Sequence, residues 1–275
     1  MAYAYPGEGS LDYLPCRYGN SKLAFRGPLC ALRPPYCAVI GGTETYGKFV
    51  ADPYPALVEA GTGLQMVNLG CVNAGPDVFL NEPEIVQICA GAAVTVVQVM
   101  GAHNLTNAFY SVHPRRNDRF LRAAPPLQAM FPEVDFTEFH FTRHLLRALQ
   151  AVSIERFAVV TDELRVAWVC RMTDLLARIG GKVVLLWLAD RPPACDRQGR
   201  DRLHDPILVD AGMIGALKDG YAEYVEVVVS AQARADGVAG MSFAPLDRPA
   251  AAEVPGPAVH REVAAALAPR LMRLL

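Results

Sequence analysis

The sequence predicts an α/β fold, a three-layer αβα sandwich built on a five-stranded parallel sheet. Two patterns predict it: five short apolar runs rich in β-branched residues, and amphipathic helical segments between them. Runs that are apolar at every position, rather than at every second one, are typical of strands buried on both faces of a parallel sheet. Strands that alternate with helices indicate right-handed crossovers and helices on both faces of the sheet.

The predicted strands are residues 37–42, 65–70, 94–100, 183–188 and 224–229. The clearest helix follows Thr161, because a hydroxyl residue followed by acidic residues is typical of a helix N-terminus. Apolar residues then recur at steps of three and four up to Ile179, and two glycines end the helix. Residues 210–220 and 259–275 predict two further helices, and Pro269 is expected to bend or break the second.

The domain organisation follows from where this alternation begins and where it is interrupted. Residues 1–36 show neither a helical nor a strand period, so they are predicted to form an N-terminal arm. The arm either wraps its own domain or reaches a second subunit to form a homo-oligomer. Residues 37–275 are predicted to form one α/β domain with an insertion at about 103–156. Ligands of open α/β sheets bind beyond the carboxyl ends of the strands, so this insertion is either a lid or substrate wall, or a packing decoration.

Composition excludes several classes of partner. The net charge is −2 with both signs interspersed, so no nucleic-acid partner is expected. The apolar runs are shorter than the roughly 20 residues of a membrane span, and the first residues lack the pattern of a secretory leader. Seven scattered cysteines without a C-x-x-C pair indicate reduced thiols and a cytoplasmic location. The pair His140 and His144 supplies too few ligands for a metal site, and the glycines near residue 41 lack nucleotide-binding spacing, so no cofactor is expected.

The sharpest chemical feature is the end of the first predicted strand, where two glycines precede Thr43. A hydroxyl residue that opens a helix after a strand lies at the carboxyl edge of the sheet, close to free backbone N–H groups. This placement suits a nucleophile or an anion contact, and an ordinary helix cap is the alternative.

Four short blocks resemble those of the GDSL/SGNH hydrolases, in the order that family has them. They are Gly-Gly-Thr-Glu-Thr-Tyr-Gly at 41–47, Val-Asn-Leu-Gly-Cys-Val-Asn-Ala-Gly at 67–75, Met-Gly-Ala-His-Asn at 100–104 and Pro-Ala-Val-His at 257–260. The resemblance spans roughly residues 37–275 and implies a flavodoxin-like or SGNH-like arrangement of the sheet. It also implies that a hydroxyl from the first block attacks an acyl carbon and that a histidine from the last block takes its proton.

Matched by position, the resemblance makes Thr43 the nucleophile and His260 the base. Backbone and side-chain donors of the second and third blocks would stabilise the oxyanion. These donors are Asn73 or Gly75, and His103 or Asn104. The chain departs from the family pattern at two positions: Thr43 replaces the serine, and Pro257 stands where the aspartate that orients the histidine is expected. Glu253 or Asp247 could supply that carboxylate instead.

A second feature is a group of four arginines, Arg115, Arg116, Arg119 and Arg122. If this segment is helical, they fall mostly on one side of the helix. Such a cluster could clamp a phosphate, sulfate or carboxylate group, and Arg115 and Arg116 could steer an anionic substrate. The alternative is a solvated basic face paired with nearby acids.

The sequence therefore predicts an SGNH-like esterase or acyltransferase that acts on an ester or acyl group of a carbohydrate or another small polar substrate. The alternative is a catalytically degenerate SGNH-like protein that binds a glycan or anionic ligand, or that serves as an assembly component. The joint loss of the family serine and aspartate favours this alternative.

Overall fold

A computed structural model describes residues 9–193 and 204–275, and within them the predicted α/β fold is confirmed. The start of the predicted arm (residues 1–8) and Cys195 lie outside the described residues. The sheet contains five parallel strands, β1 (Cys37–Gly41), β2 (Met66–Gly70), β3 (Val94–Gln98), β6 (Val183–Ala189) and β7 (Glu223–Val228). Their order in the sheet is β2-β1-β3-β6-β7. This is the flavodoxin-like order, in which successive strands are added first on one side of β1 and then, from β3 onwards, on the other side.

The two faces of the sheet are covered by different sets of helices. The described residues form α1 (Thr43–Tyr46), α2 (Tyr54–Thr62), α3 (Pro76–Leu80), α4 (Pro83–Ala90), α5 (Pro125–Met130), α6 (Thr142–Val152), α7 (Ile154–Ile179), α8 (Ala211–Gly215), α9 (Ala231–Asp236), α10 (Arg248–Ala251) and α11 (Pro257–Leu274). Helices α3, α4 and α7 pack in one apolar cluster and α2 and α11 in a second. Neighbouring strand residues enter opposite clusters, Ile40 the first and Val39 the second, which explains why β1 is apolar throughout. No helix of this described part combines the length and apolarity that a membrane crossing requires.

Three of the helix predictions need correction. Helix α7 begins at Ile154, not after Thr161, because the side chain of Ser153 caps it by accepting a hydrogen bond from the backbone N–H of Arg156. Thr161 instead lies inside the helix, where its hydroxyl donates to the carbonyl of Ala158 at 2.9 Å. Pro269 does not break α11, which runs through it to Leu274. The predicted helix at 210–220 is the short α8 followed by a 3₁₀ turn, Lys218–Gly220.

The arginine-rich segment is a β-hairpin, not a helix. It consists of β4 (Tyr110–His113) and β5 (Arg116–Ala123), which pair antiparallel outside the main sheet. Val112 lies opposite Phe120 in this pairing, and both side chains are buried. A helix would separate these apolar side chains, so their burial favours the hairpin.

The described part of the arm packs against its own chain. Phe25 is fully buried, and the hydroxyl of Ser21 donates to the Glu82 carboxylate at 2.7 Å. One guanidinium nitrogen of Arg26 donates to the carbonyl of Gly47, at the end of α1, at 2.7 Å. These contacts place the arm beside the first helix after β1.

Candidate functional site

An open cavity of about 660 Å³ lies where β1 and β3 end, at the point where the sheet order reverses. Its walls come from the loop after β1, the loop after β3 and the insertion, including Thr43, Gln98 and Thr142. The crevice beyond the carboxyl ends of these two strands is where flavodoxin-like sheets bind ligands. We call this space the edge cavity.

Thr43 is the first residue of α1 and lines the edge cavity, and the residue is 9% exposed. Its Oγ1 accepts a hydrogen bond from the backbone N–H of Asn73 at 2.9 Å and donates to Oδ1 of the same residue at 3.2 Å. Asn73 has a positive φ of 56°, a left-handed conformation that asparagine tolerates better than most residues. The end of β2 therefore delivers a backbone donor to the hydroxyl at the end of β1.

Asn104, in the loop after β3, makes further hydrogen bonds to this arrangement. Its Nδ2 donates to the carbonyl of Asn73 at 3.0 Å, and its Oδ1 accepts from the hydroxyl of Thr142 at 2.6 Å. Three of the predicted site residues, Thr43, Asn73 and Asn104, are thus joined by hydrogen bonds in one cluster. Thr142 ties the cluster to the start of α6, so the insertion forms a wall of the cavity.

Gly75 plays a structural part in the same region. Its backbone N–H points to Oδ1 of Asn117 at 3.3 Å, and it is not among the residues that line the edge cavity. A Cβ at this position would lie 1.7 Å from the carbonyl oxygen of Asn104. Glycine is required here by the close approach of two backbone segments, and of the two second-block residues it is Asn73 that faces Thr43.

His103 lines the edge cavity and is 6% exposed. Its Nδ1 has no hydrogen-bond partner among the described residues. Burial lowers the pKa of His103 to about 4, Asp205 opposes this shift and Arg143 adds to it. At pH 7 the imidazole of His103 is therefore neutral.

His260 lies in a different environment, at the start of α11 and almost fully buried. Its Nδ1 accepts the backbone N–H of Tyr54 at 3.1 Å, and its ring stacks on the Tyr54 ring with centroids 5.9 Å apart. Burial, and to a smaller extent the charge of Arg26, lowers the pKa of His260 to about 4. A hydrogen bond with the backbone of Pro255 acts in the opposite direction. His260 is not one of the described residues that line the edge cavity, so its role as base stays a prediction.

Several charged and polar residues of the edge cavity were not identified from the sequence. Gln98, at the end of β3, donates to the Glu44 carboxylate at 2.9 Å, and its Oε1 accepts from the backbone N–H of Gly42 at 3.0 Å. Burial and the nearby Asp205 carboxylate raise the pKa of Glu44. Asp205 is also ion-paired with Arg143. Only Glu44 had a signal in the sequence, since it directly follows Thr43.

Arg115 and Arg116 do not line the edge cavity. They lie in a second groove, of about 740 Å³, between the arm and the hairpin. Val72 lines both spaces, so the two adjoin.

Comparison with known proteins identifies the family of this chain. Residues 1–275 match the family model described as "Domain of unknown function (DUF6473)", and the chain belongs to that family. A search of the curated proteins finds no match. Among solved structures, the chain is similar to an extracellular lipase from Streptomyces rimosus, with 12% identical residues and a TM-score of 0.43. That similarity covers 88% of this chain and 100% of the lipase chain.

Proposed function

We propose that this protein is an SGNH-like esterase or acyltransferase whose substrate, a carbohydrate or another small polar molecule, binds in the edge cavity. The observation that carries the proposal is the hydrogen-bonded cluster of Thr43, Asn73 and Asn104, at the sheet edge where the strand order reverses. It combines a hydroxyl, a backbone N–H directed at that hydroxyl and a fixed carboxamide. The mixed charges along the cavity, from Glu44 and Asp205 to Arg143, favour a polar substrate over a long acyl chain.

In the proposed reaction, Oγ1 of Thr43 attacks the acyl carbon and forms the new C–O bond. The proton of the hydroxyl passes to a base, and the carbonyl oxygen becomes an oxyanion near the backbone N–H of Asn73. The tetrahedral intermediate collapses when the bond to the alcohol breaks, and the alcohol takes the proton. Water or a second hydroxyl then releases the acyl group from Thr43, which gives hydrolysis or transfer respectively.

We assign the base to His103 in preference to His260. His103 shares the cavity with Thr43, and its Nδ1 lacks a hydrogen-bond partner within the described residues. His260 would first have to give up its buried hydrogen bond with the N–H of Tyr54, the first residue of α2. His260 is therefore proposed to support the fold, and His103 the chemistry.

Steady-state hydrolysis of acetylated sugars and p-nitrophenyl acetate tests this proposal. Thr43→Ala and His103→Asn should each lower kcat/KM by about 100-fold or more, the size expected for a lost nucleophile or base. Thr43→Ser should retain or raise activity, since it keeps the hydroxyl and removes the methyl group that crowds an approaching ester. His260→Asn should keep kcat/KM at temperatures where it is folded. Thr62→Ala, at the end of α2, is the matched control for loss of a hydroxyl. Activity that survives both Thr43→Ala and His103→Asn would disprove the assignment.

A second function, ligand binding without catalysis, is favoured by one observation. Asn73 already satisfies the Thr43 hydroxyl as both donor and acceptor. Under this alternative, no acetylated substrate is turned over. Non-ester sugars then raise the thermal midpoint of the wild type, and Thr43→Ala reduces that rise.

A further inference from the structure

The charged residues that line the groove beside the hairpin are all basic. Its walls carry Lys22 from the arm and Arg115, Arg116 and Arg119 from the hairpin. His113 and His140 also line it, and no Asp or Glu occurs among its described lining residues. The whole chain carries a net charge of −2, so this is a local concentration of positive charge on a slightly acidic protein. We call this space the basic groove.

The cations of the basic groove have no carboxylate partner among the described residues, whereas several arginines elsewhere in the chain do. Within the described residues, Lys22, Arg115 and Arg116 form no ion pair. Other arginines are paired with carboxylates, namely Arg143, Arg156, Arg171, Arg178 and Arg270. A concave surface lined by one sign of charge concentrates counter-ions, and it does so more strongly than the same charges spread over a flat surface.

The cations come from two separate segments, the arm and the hairpin, and each segment is held by specific contacts. Arg119 lies over the Phe141 ring with its guanidinium carbon 4.4 Å from the ring centre, and the two residues also form a β-bridge. The backbone N–H of Arg115 donates to Nδ1 of His113 at 3.2 Å, which orders the turn between β4 and β5. On the opposite wall, the Glu82 carboxylate anchors the arm by accepting from the backbone N–H of Lys22 at 3.3 Å.

We propose that the basic groove is a second binding site, for a ligand that carries at least two phosphate or sulfate groups. Guanidinium groups bind these tetrahedral anions through paired N–H donors, and several of them on one concave surface favour a ligand with more than one such group. The site does not depend on acyl chemistry in the edge cavity, which it adjoins at Val72.

Calorimetric titration at low ionic strength tests the site, with inorganic pyrophosphate, a disulfated disaccharide, monophosphate and acetate as probes. Pyrophosphate or the disulfated sugar should bind at least about tenfold more tightly than monophosphate, and acetate should not saturate. The better of the two multiply charged probes indicates whether the natural group is phosphate or sulfate. Equal affinity for monophosphate and both multiply charged probes would overturn the proposal, as would no saturable binding.

Variants on both walls make the test specific to the groove. Arg115→Gln with Arg116→Gln should weaken binding about tenfold or more, and Lys22→Gln on the opposite wall should weaken it in the same direction. Arg122→Gln is the matched control, because Arg122 is exposed on the same strand but does not line the groove. Equal losses in the single variant Arg116→Gln and in Arg122→Gln, which each remove one charge, would show that net charge alone attracts the anion, which contradicts the proposal. Thr43→Ala should bind the probe like the wild type, so the outcome is independent of the edge cavity.

Discussion

The pH dependence of stability should reveal the buried state of His260. The residue is 1% exposed, and its ring forms hydrogen bonds with the backbone of Tyr54 and of Pro255. Burial lowers the pKa of His260 to about 4 in the folded protein, whereas a histidine in an unfolded chain titrates near 6.5. Between these two values the unfolded state binds one more proton than the folded state at this site. Stability contributed by neutral His260 is therefore complete above pH 6.5 and is lost as the pH falls towards 4.

The size of this effect follows from the gap between the two pKa values. It corresponds to about 3 kcal/mol of unfolding free energy, at about 1.4 kcal/mol per pH unit in the middle of the range. His260→Asn removes the titrating ring and keeps an Oδ1 near the position of Nδ1, so the Tyr54 N–H retains an acceptor. The variant should be less stable at pH 7 because the stacking on Tyr54 is lost. Its stability should also depend less steeply on pH, by about 1.4 kcal/mol per unit between pH 4.5 and 6.

Urea denaturation of the wild type and His260→Asn at several pH values measures both quantities. His103, whose pKa burial also lowers to about 4, contributes in the same direction but remains in both proteins and cancels in the comparison. His140→Gln is the control, since His140 is exposed on the insertion. Equal pH slopes for the wild type and His260→Asn would refute the reasoning, because they would mean that the ring takes up protons as readily folded as unfolded.

Two further substitutions test the packing that supports the edge cavity. Gly75→Ala should lower the unfolding free energy by about 3 kcal/mol or more, because its methyl group would meet the Asn104 carbonyl oxygen; Gly61→Ala, with no atom within 4 Å, should be neutral or slightly stabilising. Asn117→Ala should cost about 2–5 kcal/mol, because its Oδ1 accepts from two backbone N–H groups in a buried position. Asn20→Ala, which removes an exposed side chain, is the control for Asn117→Ala. Thermal unfolding measures all four variants, and a lower midpoint for either control than for its test variant would contradict this account.

The parallel sheet could be predicted because burial on both faces leaves a direct mark on the sequence. Every residue of β6, Val183–Ala189, is buried, so the run is apolar without alternation. The bounds of α7 and the nature of the arginine segment depend on non-local contacts instead. Phe157 and Val160 extend the buried face of α7 towards the N-terminus, before the start that the sequence predicts. Thr161 lies inside the helix because its hydroxyl donates a hydrogen bond to the carbonyl three residues earlier. The hairpin depends on the pairing of Val112 with Phe120, which the spacing of the arginines does not reveal.

Part of the candidate site was predictable for a related reason. Thr43, Asn73 and Asn104 follow three adjacent parallel strands, whose carboxyl ends meet at one edge of the sheet. The position of His260 depends on how α11 packs against α2, and no local pattern reports that packing. Asp205 reaches the edge cavity from a segment without a motif, so it could be found only once the chain was folded.

The most direct test of the central claim is mass spectrometry of the protein after reaction with an alkyl fluorophosphonate. In this reaction Oγ1 attacks phosphorus, fluoride leaves and the hydroxyl proton passes to the base, so a labelled residue is an activated nucleophile. We predict a single adduct on the peptide that contains Thr43, with slower labelling of His103→Asn and no adduct on Thr43→Ala. An unlabelled protein, or a label that persists after Thr43→Ala, would contradict the account.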